Sequence, residues 1–475
     1  MSITIGKEGA VQAIFTYQGE IQDEMNLQLV EYVKDHQLFT GKKGEIFTDL
    51  GPNGANQAFV GLGEKETSDA QAFRLAAFQL AKKMEQLKVS EVAIHLPTLV
   101  NLCTCRSVGY ITEGLIQATY TFEAYKSEQK PLFETNYFFV TDHKPEKVQK
   151  RIEEVTKLME GVFLTRDLVN TPPVDMDPET LADAAKQTLE PLGVQVEVLT
   201  RPEIEELGME AFLSVARGSK KEPRFIVMKY LPNPDQKAIA LVGKGITYDS
   251  GGYALKPAKG MEHMKNDMAG SASVIGAMYA VASNQLDKNV VGVIAACENL
   301  ISGDAYKNGD IIGSMKGTSI EVINTDAEGR ITLADSLYYA ATEIDSEVII
   351  DLATLTGACV VGLSDYITGL VTNNDALCTS LRVAGDVSGE YLWPLPVVDE
   401  LREQVKGKLG DLVNSTGKPG GAMTAGIFLE EFVEGKPWVH MDIAGPAFAS
   451  GAYSYLPDGA SGIPVKTLYH FIKQA

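Results

Sequence analysis

The second half of the chain contains five near-continuous apolar runs, and these constrain the fold more than any other feature. They lie at 224–230, 238–245, 290–296, 347–355 and 438–445. Unbroken runs of this length are typical of strands that are covered on both faces. Helical patterns lie between them, at 268–284, 329–343 and 423–433. The second half is therefore predicted to form an α/β domain with a central, mostly parallel or mixed sheet flanked by helices.

The first 150 residues show a shorter version of the same alternation. Strand patterns lie at 11–17, 44–50, 57–63, 91–97 and 135–142, and helical patterns lie at 24–36 and 70–87. A charged helical stretch at 145–170 follows and stops before Pro172, because proline cannot continue a helix. We therefore expect a smaller N-terminal α/β domain (1–150), a linker helix (151–172) and a larger second α/β domain (173–475).

The charge balance and the cysteine content narrow the class of protein. The 475 residues carry a net charge of −21, which argues against a general affinity for nucleic acid or anionic membranes. No run of about 18 apolar residues predicts a membrane span, and the first residues lack the pattern of a signal peptide. The five cysteines are odd in number and lie mostly in apolar runs, which is typical of reduced thiols. A cytoplasmic protein is expected.

Charged residues gather where three segments of the second half end or begin. They are Lys244 at the end of the second apolar run, Asp249 and Lys256 after it, Asp267 before a helical pattern, and Asp326, Glu328 and Arg330 in NTDAEGR. Each segment alone is compatible with a solvated loop, since acidic residues are favoured near helix N-termini. Ligands in such sheets bind beyond the carboxyl ends of strands, and carboxylates packed together there stay charged only beside cations. The pattern predicts a site that binds cations.

The chain does not match the residue spacing of other catalytic motifs. Lys244 lacks the upstream glycine and the following Ser or Thr of a phosphate-binding loop, and the chain contains neither G-x-S-x-G nor H-E-x-x-H. Oxygen ligands without histidine or cysteine suit Mg²⁺ or Mn²⁺, with Zn²⁺ also accepted. Two such ions roughly 3.5–4 Å apart can activate a water. The residues alone indicate a dinuclear hydrolase, with phosphoesterase and peptidase both open.

Five segments, in this order, resemble the leucine (cytosol) aminopeptidase family of dinuclear metallopeptidases. They are GKGITYDSGGYALKP, MKNDMAG, ACENLISG, NTDAEGR and ATLTGA. The resemblance runs from about Val169 to the C-terminus and includes PGGAMTAGIFLEEFV and WVHMDIAGPA. It implies that 173–475 is the catalytic domain and binds two divalent metal ions per subunit, Mn²⁺ or Zn²⁺, with Mg²⁺ and Co²⁺ also accepted.

The resemblance implies a role for each charged residue. One metal would be held by Lys244, Asp249, Asp267 and Glu328, and the other by Asp249, Asp326 and Glu328, together with the Asp326 carbonyl. Asp249 and Glu328 would bridge the two ions. Lys244 can bind a metal only as a neutral amine, so we expect its pKa to fall well below the usual value of about 10.4.

The remaining matches concern catalysis and substrate binding. Lys256 matches the lysine that polarises the scissile carbonyl and stabilises the oxyanion, and Arg330 matches the arginine that holds a bicarbonate ion as general base. Leu355 would offer its carbonyl to the substrate amine, beside Asn324. The pocket for the first side chain would be lined by Met264, Thr354, Gly357, Ala444 and Ala447. Ala447 departs from the methionine of the best-known members, which implies a roomier or reshaped pocket floor.

The resemblance implies a cytoplasmic metalloaminopeptidase that releases N-terminal residues, preferably leucine-like, from short peptides. Family members are hexamers, so a homohexamer is implied as well. Two alternatives stay open: a two-metal phosphoesterase, and a DNA-binding regulator with the aminopeptidase fold. The net charge of −21 argues against the regulator, and the motif match argues against the phosphoesterase.

Overall fold

The computed structural model describes residues 1–6, 9–20, 27–51, 54–96, 103–128, 131, 133–141 and 144–475. The chain divides into two compact units, one formed by Met1–Met159 with Ala452–Pro457 and the other by Glu160–Gly451 with Asp458–Ala475. The stretch at 145–170 forms one helix, as predicted, and this helix continues from the first unit into the second. The predicted boundaries at 150 and 172 stay predictions.

The first unit is an α/β sandwich built on a six-stranded sheet in its described residues. Its strands are β1 (Ile3–Ile5), β2 (Val11–Thr16), β3 (Ile46–Asp49), β4 (Gln57–Gly61), β5 (Glu91–His95) and β6 (Asn136–Phe139). Its helices are α1 (Leu27–Asp35), α2 (Ala70–Leu87), α3 (Thr104–Gln117) and the first part of α4 (Pro145–Asn170). The strand order is β1-β6-β5-β2-β4-β3, and each neighbouring pair is parallel except β3 with β4. Positions 24–26, 97 and 142 of the predicted elements lie outside the described residues.

Helix α3 has no counterpart among the predicted elements. Residues 107–117 of this helix are all buried, and Gly109 and Gly114 inside it lower the intrinsic helix propensity, which weakens the local signal for a helix. Its one buried acid, Glu113, accepts two hydrogen bonds from the guanidinium of Arg74 on α2, at 2.6 and 3.2 Å. That pairing explains how a charged residue sits inside this core.

The second unit contains the larger sheet. Its strands are β7 (Gln195–Leu199), β8 (Arg224–Tyr230), β9 (Ala238–Asp249), β10 (Val290–Asn299), β11 (Ile311–Ile312), β12 (Ile320–Glu321), β13 (Ser346–Ala353), β14 (Ile367–Thr372), β15 (Tyr391–Pro394), β16 (Leu412–Val413), β17 (Trp438–Asp442), β18 (Phe448–Ala449) and β19 (Gly459–Ala460). Its helices after α4 are α5 (Pro178–Leu189), α6 (Arg201–Glu206), α7 (Glu210–Ala216), α8 (Ala258–Met261), α9 (Ala269–Ser283), α10 (Glu328–Thr342), α11 (Gly357–Leu363), α12 (Asp375–Ser388), α13 (Asp399–Val405), α14 (Gly421–Glu430) and α15 (Val465–Gln474). Two 3₁₀ turns span Glu190–Leu192 and Met264–Met268.

Eight of these strands form a mixed sheet in the order β15-β14-β17-β13-β9-β10-β8-β7. The central four, β17, β13, β9 and β10, are parallel, and antiparallel pairs flank them on both sides. The predicted two-domain α/β fold with a mixed sheet is confirmed. Because the four central strands are parallel, their carboxyl ends meet at one edge.

Close packing of helix α9 on this sheet requires a glycine at position 270. Gly270 lies near the start of α9, and a Cβ atom there would collide with the carbonyl oxygen of Leu352 on β13. The absence of a side chain lets α9 approach the centre of the sheet. That approach brings the turn before α9, which carries Asp267, against the edge where β9 ends.

Candidate active site

Four carboxylates come together at the carboxyl edge of the central strands. Asp249 is the last residue of β9, Asp267 lies in the 3₁₀ turn before α9, Asp326 lies in the loop before α10, and Glu328 is the first residue of α10. Asp249, Asp267 and Glu328 are buried, and Asp326 is partly exposed. One oxygen from each of Asp249, Asp326 and Glu328 lies within 4.8 Å of the others. The convergence that the sequence pattern predicted is therefore present in the fold.

Two lysines lie among these acids. Nζ of Lys244 is 2.7 Å from Oδ1 of Asp267 and 2.8 Å from Oε1 of Glu328. Nζ of Lys256 is 2.8 Å from Oδ2 of Asp249 and 2.6 Å from Oδ1 of Asp326. Each lysine thus links two of the four carboxylates.

An irregularity in β9 places Lys244 and Asp249 on the same face of the sheet. Side chains alternate along a strand, so residues five apart point to opposite faces of a regular one. Lys244 pairs with Ala295 and Asp249 pairs with Asn299, and these two partners are four apart on β10. The pairing shifts because β9 contains one extra residue, Thr247, opposite the step from Cys297 to Glu298. This bulge redirects the end of β9 so that both side chains face the cluster.

Strand β9 also extends further than its apolar run suggested. The run at 238–245 predicted that Lys244 ends a strand, whereas β9 continues to Asp249. The parallel neighbour β10 continues beside it and supplies backbone partners as far as Asn299. Lys244 is consequently an interior strand residue with a side chain that is 3% exposed. After Asp249 the chain turns at Gly251 and Gly252, whose φ angles of 86° and 61° are readily available to glycine.

Burial of so much charge changes the acid–base properties of the cluster. Burial raises the pKa of Asp267 well above its usual value, and burial together with the negative charge of Glu328 raises the pKa of Asp249. Burial lowers the pKa of Lys244, but the charges of Asp267 and Glu328 outweigh this and raise it in the protein alone. The fall expected from the sequence concerns the metal-loaded site, where adjacent dications act on the amine, whereas this rise is that of the protein alone. A nearby dication would have to reverse it, because only the neutral amine can bind a metal.

The donor set fits divalent cations. Four carboxylates face two lysines, so negative charge exceeds positive charge within the cluster. Oδ2 of Asp267 and Oε2 of Glu328 are buried and have no hydrogen-bond partner. Buried carboxylate oxygens of this kind are costly unless a cation or a donor meets them. Oxygen ligands with one amine nitrogen suit Mg²⁺, Mn²⁺, Co²⁺ or Zn²⁺.

Arg330 lies two residues after Glu328 on α10 and points toward a different backbone segment. Its side chain is largely buried, and Nη1 donates to the carbonyl of Asn414 at 2.8 Å. Burial lowers the pKa of Arg330 to about 10, so the guanidinium stays cationic at neutral pH. Its Nε has no hydrogen-bond partner. A buried cation with a free donor can hold a small anion.

The predicted substrate-binding residues lie in loops around the cluster. Thr354 contacts it directly, because its hydroxyl donates to Oδ1 of Asp267 at 2.9 Å and its carbonyl accepts from Lys244 at 3.1 Å. Leu355 follows it in the same loop. The side-chain oxygen of Asn324 accepts from the backbone N–H of Asp326 at 2.9 Å, which orders the loop before α10.

The other residues predicted to line the pocket lie in further segments. Met264 begins the 3₁₀ turn that contains Asp267, and Gly357 begins α11. Ala444 and Ala447 follow β17, and Ala447 is 3% exposed. Met264, Gly357 and Ala447 have no polar side-chain atom, so they are tied to the cluster only through these segments.

Three buried polar residues that were not predicted from the sequence connect the segments around the cluster by hydrogen bonds. Asp442, at the end of β17, accepts from the hydroxyl of Thr356 at 2.7 Å and from the backbone N–H groups of Leu355 and Ala444 at 3.3 and 3.2 Å. Asp442 could have been predicted from the sequence, because it is a polar residue at the end of an apolar strand. The other two are Asn299 and Asn414.

Asn414 supports the loop before α10. Its side-chain oxygen accepts from the backbone N–H groups of Ile323 and Asn324 at 2.8 and 3.2 Å, and its amide donates to the Asn324 carbonyl at 2.6 Å. Because the Asn414 carbonyl also accepts from Arg330, one residue connects the loop and the helix that follows it. Its segment, DLVNS, carries no motif that would reveal this role.

No helix in the described part of the chain combines the length and hydropathy that crossing a membrane would require.

Family models account for both units. The catalytic-domain model of the cytosol aminopeptidase family matches residues 163–469, and the N-terminal-domain model of that family matches 11–129.

Full-length relatives and solved structures agree with the family models. The chain is 48% identical over 476 residues to a "Probable cytosol aminopeptidase" of Clostridium tetani, covering 100% of this chain and 99% of the relative. It is 46% identical to the protein of the same description from Treponema denticola, covering all of both chains. A mutant of tomato leucine aminopeptidase superposes with a TM-score of 0.90 at 31% identity, covering 100% of this chain and 97% of the other. The bottromycin maturation enzyme BotP in complex with Mn superposes with a TM-score of 0.89 at 29% identity, covering 98% and 99%.

The domain matches, the full-length relatives and the fold lead to one conclusion: this chain belongs to the cytosol aminopeptidase family.

Proposed function

We propose that this protein is a cytoplasmic, metal-dependent aminopeptidase that releases N-terminal residues, preferably leucine-like, from short peptides. Family membership supports the peptidase activity. The observation that carries the metal dependence is the buried set of four carboxylates linked by Lys244 and Lys256. A homohexamer is part of the proposal and rests on the family resemblance.

Two sets of ligands are proposed for two divalent ions. Lys244, Asp249, Asp267 and Glu328 would hold one, and Asp249, Asp326 and Glu328 would hold the other together with the Asp326 carbonyl. The unpartnered oxygens of Asp267 and Glu328 support these assignments. When bound, two such ions lower the pKa of a water and polarise the scissile carbonyl. Mn²⁺ or Zn²⁺ is proposed, with Mg²⁺ and Co²⁺ as substitutes, because the ligands discriminate weakly among them.

The two proposed catalytic residues act through their charge. Lys256 would donate a hydrogen bond to the oxyanion that develops on the scissile carbonyl, and its side chain is 18% exposed and therefore reachable by substrate. Arg330 would hold a bicarbonate ion that accepts the proton of the attacking water, and its free Nε supports an anion there. Lys256 must leave at least one of its two carboxylate partners to reach the substrate.

Substrate binding is proposed for the loops around the cluster. The Leu355 carbonyl would accept a hydrogen bond from the substrate α-amine, with Asn324 ordering the neighbouring loop. The pocket for the first side chain would be lined by Met264, Thr354, Gly357, Ala444 and Ala447. The hydrogen bonds that Asp442 receives from Leu355 and Ala444 support a common pocket, because they tie two of its loops together.

Hydrolysis of leucyl p-nitroanilide by the full-length protein tests the proposal. Dialysis against a chelator should abolish hydrolysis, and Mn²⁺, Zn²⁺, Co²⁺ or Mg²⁺ should restore it to different extents. Full activity after chelation, with no metal found by elemental analysis, would refute the metal dependence.

The two alternatives have their own assays. An aryl phosphate should not be hydrolysed by the Mn²⁺-loaded protein, whereas its hydrolysis in place of the anilide would indicate a phosphoesterase. Duplex DNA should not shift in a gel at moderate salt, as the charge of −21 leads us to expect.

A further inference from the structure

Asn299 is the last residue of β10 and has a fully buried side chain beside the carboxylate cluster. It pairs with Asp249 across the parallel strands β9 and β10. Its neighbour Glu298 makes a different contact, accepting a 2.5 Å hydrogen bond from the hydroxyl of Ser219. Consecutive residues of a strand point to opposite faces, so Asn299 is the one that faces the cluster.

The amide nitrogen of Asn299 bonds to both segments that supply the second proposed metal position. Nδ2 donates to Oδ1 of Asp249 at 2.8 Å and to the backbone carbonyl of Thr325 at 3.0 Å. Thr325 directly precedes Asp326. Both hydrogens of the amide are therefore used, one on the end of β9 and one on the loop before α10.

The bond to Asp249 determines which of its oxygens faces the cluster. Oδ1 accepts from Nδ2 of Asn299 and also from the backbone N–H of Gly251, each at 2.8 Å. Two donors occupy that oxygen, whereas Oδ2 lies 2.8 Å from Nζ of Lys256 inside the cluster. Asp249 is thus held in one orientation, with Oδ2 as the oxygen available to a cation.

We propose that Asn299 is a positioning residue for the metal centre, which fixes Asp249 and the loop of Asp326 at the separation that divalent-ion binding requires. This inference rests on the proposed function. Residues that orient metal ligands typically change metal affinity by about 10- to 100-fold when they are replaced. Asn299 acts through Asp249 and Thr325 and does not touch the substrate.

The chemistry of the position explains why an asparagine is needed. A carboxylate and a carbonyl oxygen both require a donor, and a neutral amide offers two N–H groups from one atom. An aspartate would place a further negative charge beside Asp249, and an apolar residue would donate nothing. Oδ1 of Asn299 is buried without a partner. The fold tolerates this unsatisfied oxygen, which indicates that the position requires the two N–H donors of the amide.

The test compares Asn299→Leu with Asn289→Leu in full-length, metal-stripped protein. Leucine has the same branched arrangement of side-chain heavy atoms as asparagine, so the first change removes the donors without opening a cavity. Asn289 is a suitable control because it is equally buried, precedes the start of β10, and donates to the carbonyls of Asn233 and Gln236 at the opposite edge. Mn²⁺ binding is measured by isothermal titration calorimetry, and folding is measured by circular dichroism and thermal unfolding without metal.

We expect the wild-type protein to bind two Mn²⁺ ions per chain, and Asn299→Leu to bind at least one of them about 10- to 100-fold more weakly. Asn289→Leu should change the unfolding temperature but keep its Mn²⁺ affinity within about twofold, since distant sites act independently. Wild-type affinity in a folded Asn299→Leu variant would overturn the inference while leaving the proposed function intact.

Two further outcomes are also decisive. A wild-type protein that binds no Mn²⁺ would overturn the proposed metal centre and the role of Asn299 with it. Should Asn299→Leu not fold, Asn299→Ser decides, because serine keeps one donor. Weaker Mn²⁺ binding than in the wild-type protein, in a folded Asn299→Ser variant, supports the positioning role, and unchanged affinity overturns it.

Discussion

Nζ of Lys244 lies 2.8 Å from Oε1 of Glu328, and both side chains are almost completely buried. In the protein alone this is an ion pair between an ammonium group and a carboxylate. In the proposed metal centre both groups would bind the same ion, and the lysine would have to lose its proton to do so. Metal binding and proton release would therefore be coupled at this pair.

Metal affinity and catalytic efficiency should rise with pH because of that coupling. The pKa of Lys244 is raised in the protein alone, so the amine is protonated across the neutral range and each metal ion bound there displaces a proton. Affinity for Mn²⁺ should increase about tenfold per pH unit at this position. The substrate amine, with an ordinary pKa of about 7.7–8.0, must also be neutral, so kcat/KM should rise from about pH 6 to about pH 8–9.

Calorimetric Mn²⁺ titrations and pH–rate profiles on leucyl anilide check this expectation. Lys244→Met serves as the comparison, because methionine has no proton to release. A flat profile in the wild-type protein, or unchanged metal content and rate in Lys244→Met, would remove Lys244 from the proposed ligands.

Glu328→Ala should lose far more activity than Glu298→Ala. Glu328 is proposed to bridge two ions, so its loss should reduce metal occupancy and lower kcat/KM by at least about 1,000-fold. Glu298 is also buried and lies near the end of the apolar strand β10, but its contact is with Ser219. Elemental analysis and leucyl anilide kinetics measure both effects. Comparable activity in the two folded variants would contradict the bridging role.

Ala447→Met should shift the preference toward smaller first residues. Ala447 is 3% exposed, and its backbone is held by hydrogen bonds to Ile443 and Ser461, so a longer side chain has little room except in the proposed pocket. The ratio of kcat/KM for phenylalanyl over leucyl anilide should fall by about tenfold, because methionine fills the extra room at the pocket floor. The exposed Ala376→Met on α12 is the control and should keep the wild-type ratio. An unchanged ratio in Ala447→Met would exclude Ala447 from the pocket.

Asp335→Ala should destabilise the second unit without involving the active site. This fully buried carboxylate on α10 accepts hydrogen bonds from the backbone N–H groups of Phe212 and Met315, at 2.9 and 2.8 Å. Alanine would leave both donors unsatisfied, which should lower the free energy of unfolding by about 2–4 kcal/mol. Urea denaturation measures the change, with the exposed Asp386→Ala as control. A loss below about 1 kcal/mol would show that water replaces the carboxylate.

Local sequence patterns were sufficient to predict the fold class and the residue types of the candidate site. Unbroken apolar runs at 224–230 and 290–296 became β8 and β10 because burial on both faces leaves a local signature in the chain. The motif NTDAEGR and its companion segments were sufficient to indicate the family. Helix α3 was not predicted, because Gly109 and Gly114 lower the helix propensity of this segment and only its burial in the folded unit stabilises it.

How the site residues face one another follows from folding and not from any local pattern. Whether Lys244 and Asp249 share a face depends on the single extra residue in β9, and such a bulge is defined by pairing with β10 and not by the apolar pattern. The contacts of Asn299 and Asn414 join segments far apart in the chain, so no local pattern could reveal them. The raised pKa of Lys244 likewise arises from acids that only folding brings beside it. Residue types and periodicity are local properties of a chain. Strand register, the face to which a side chain points and the distances between charged groups are created when distant segments pack together.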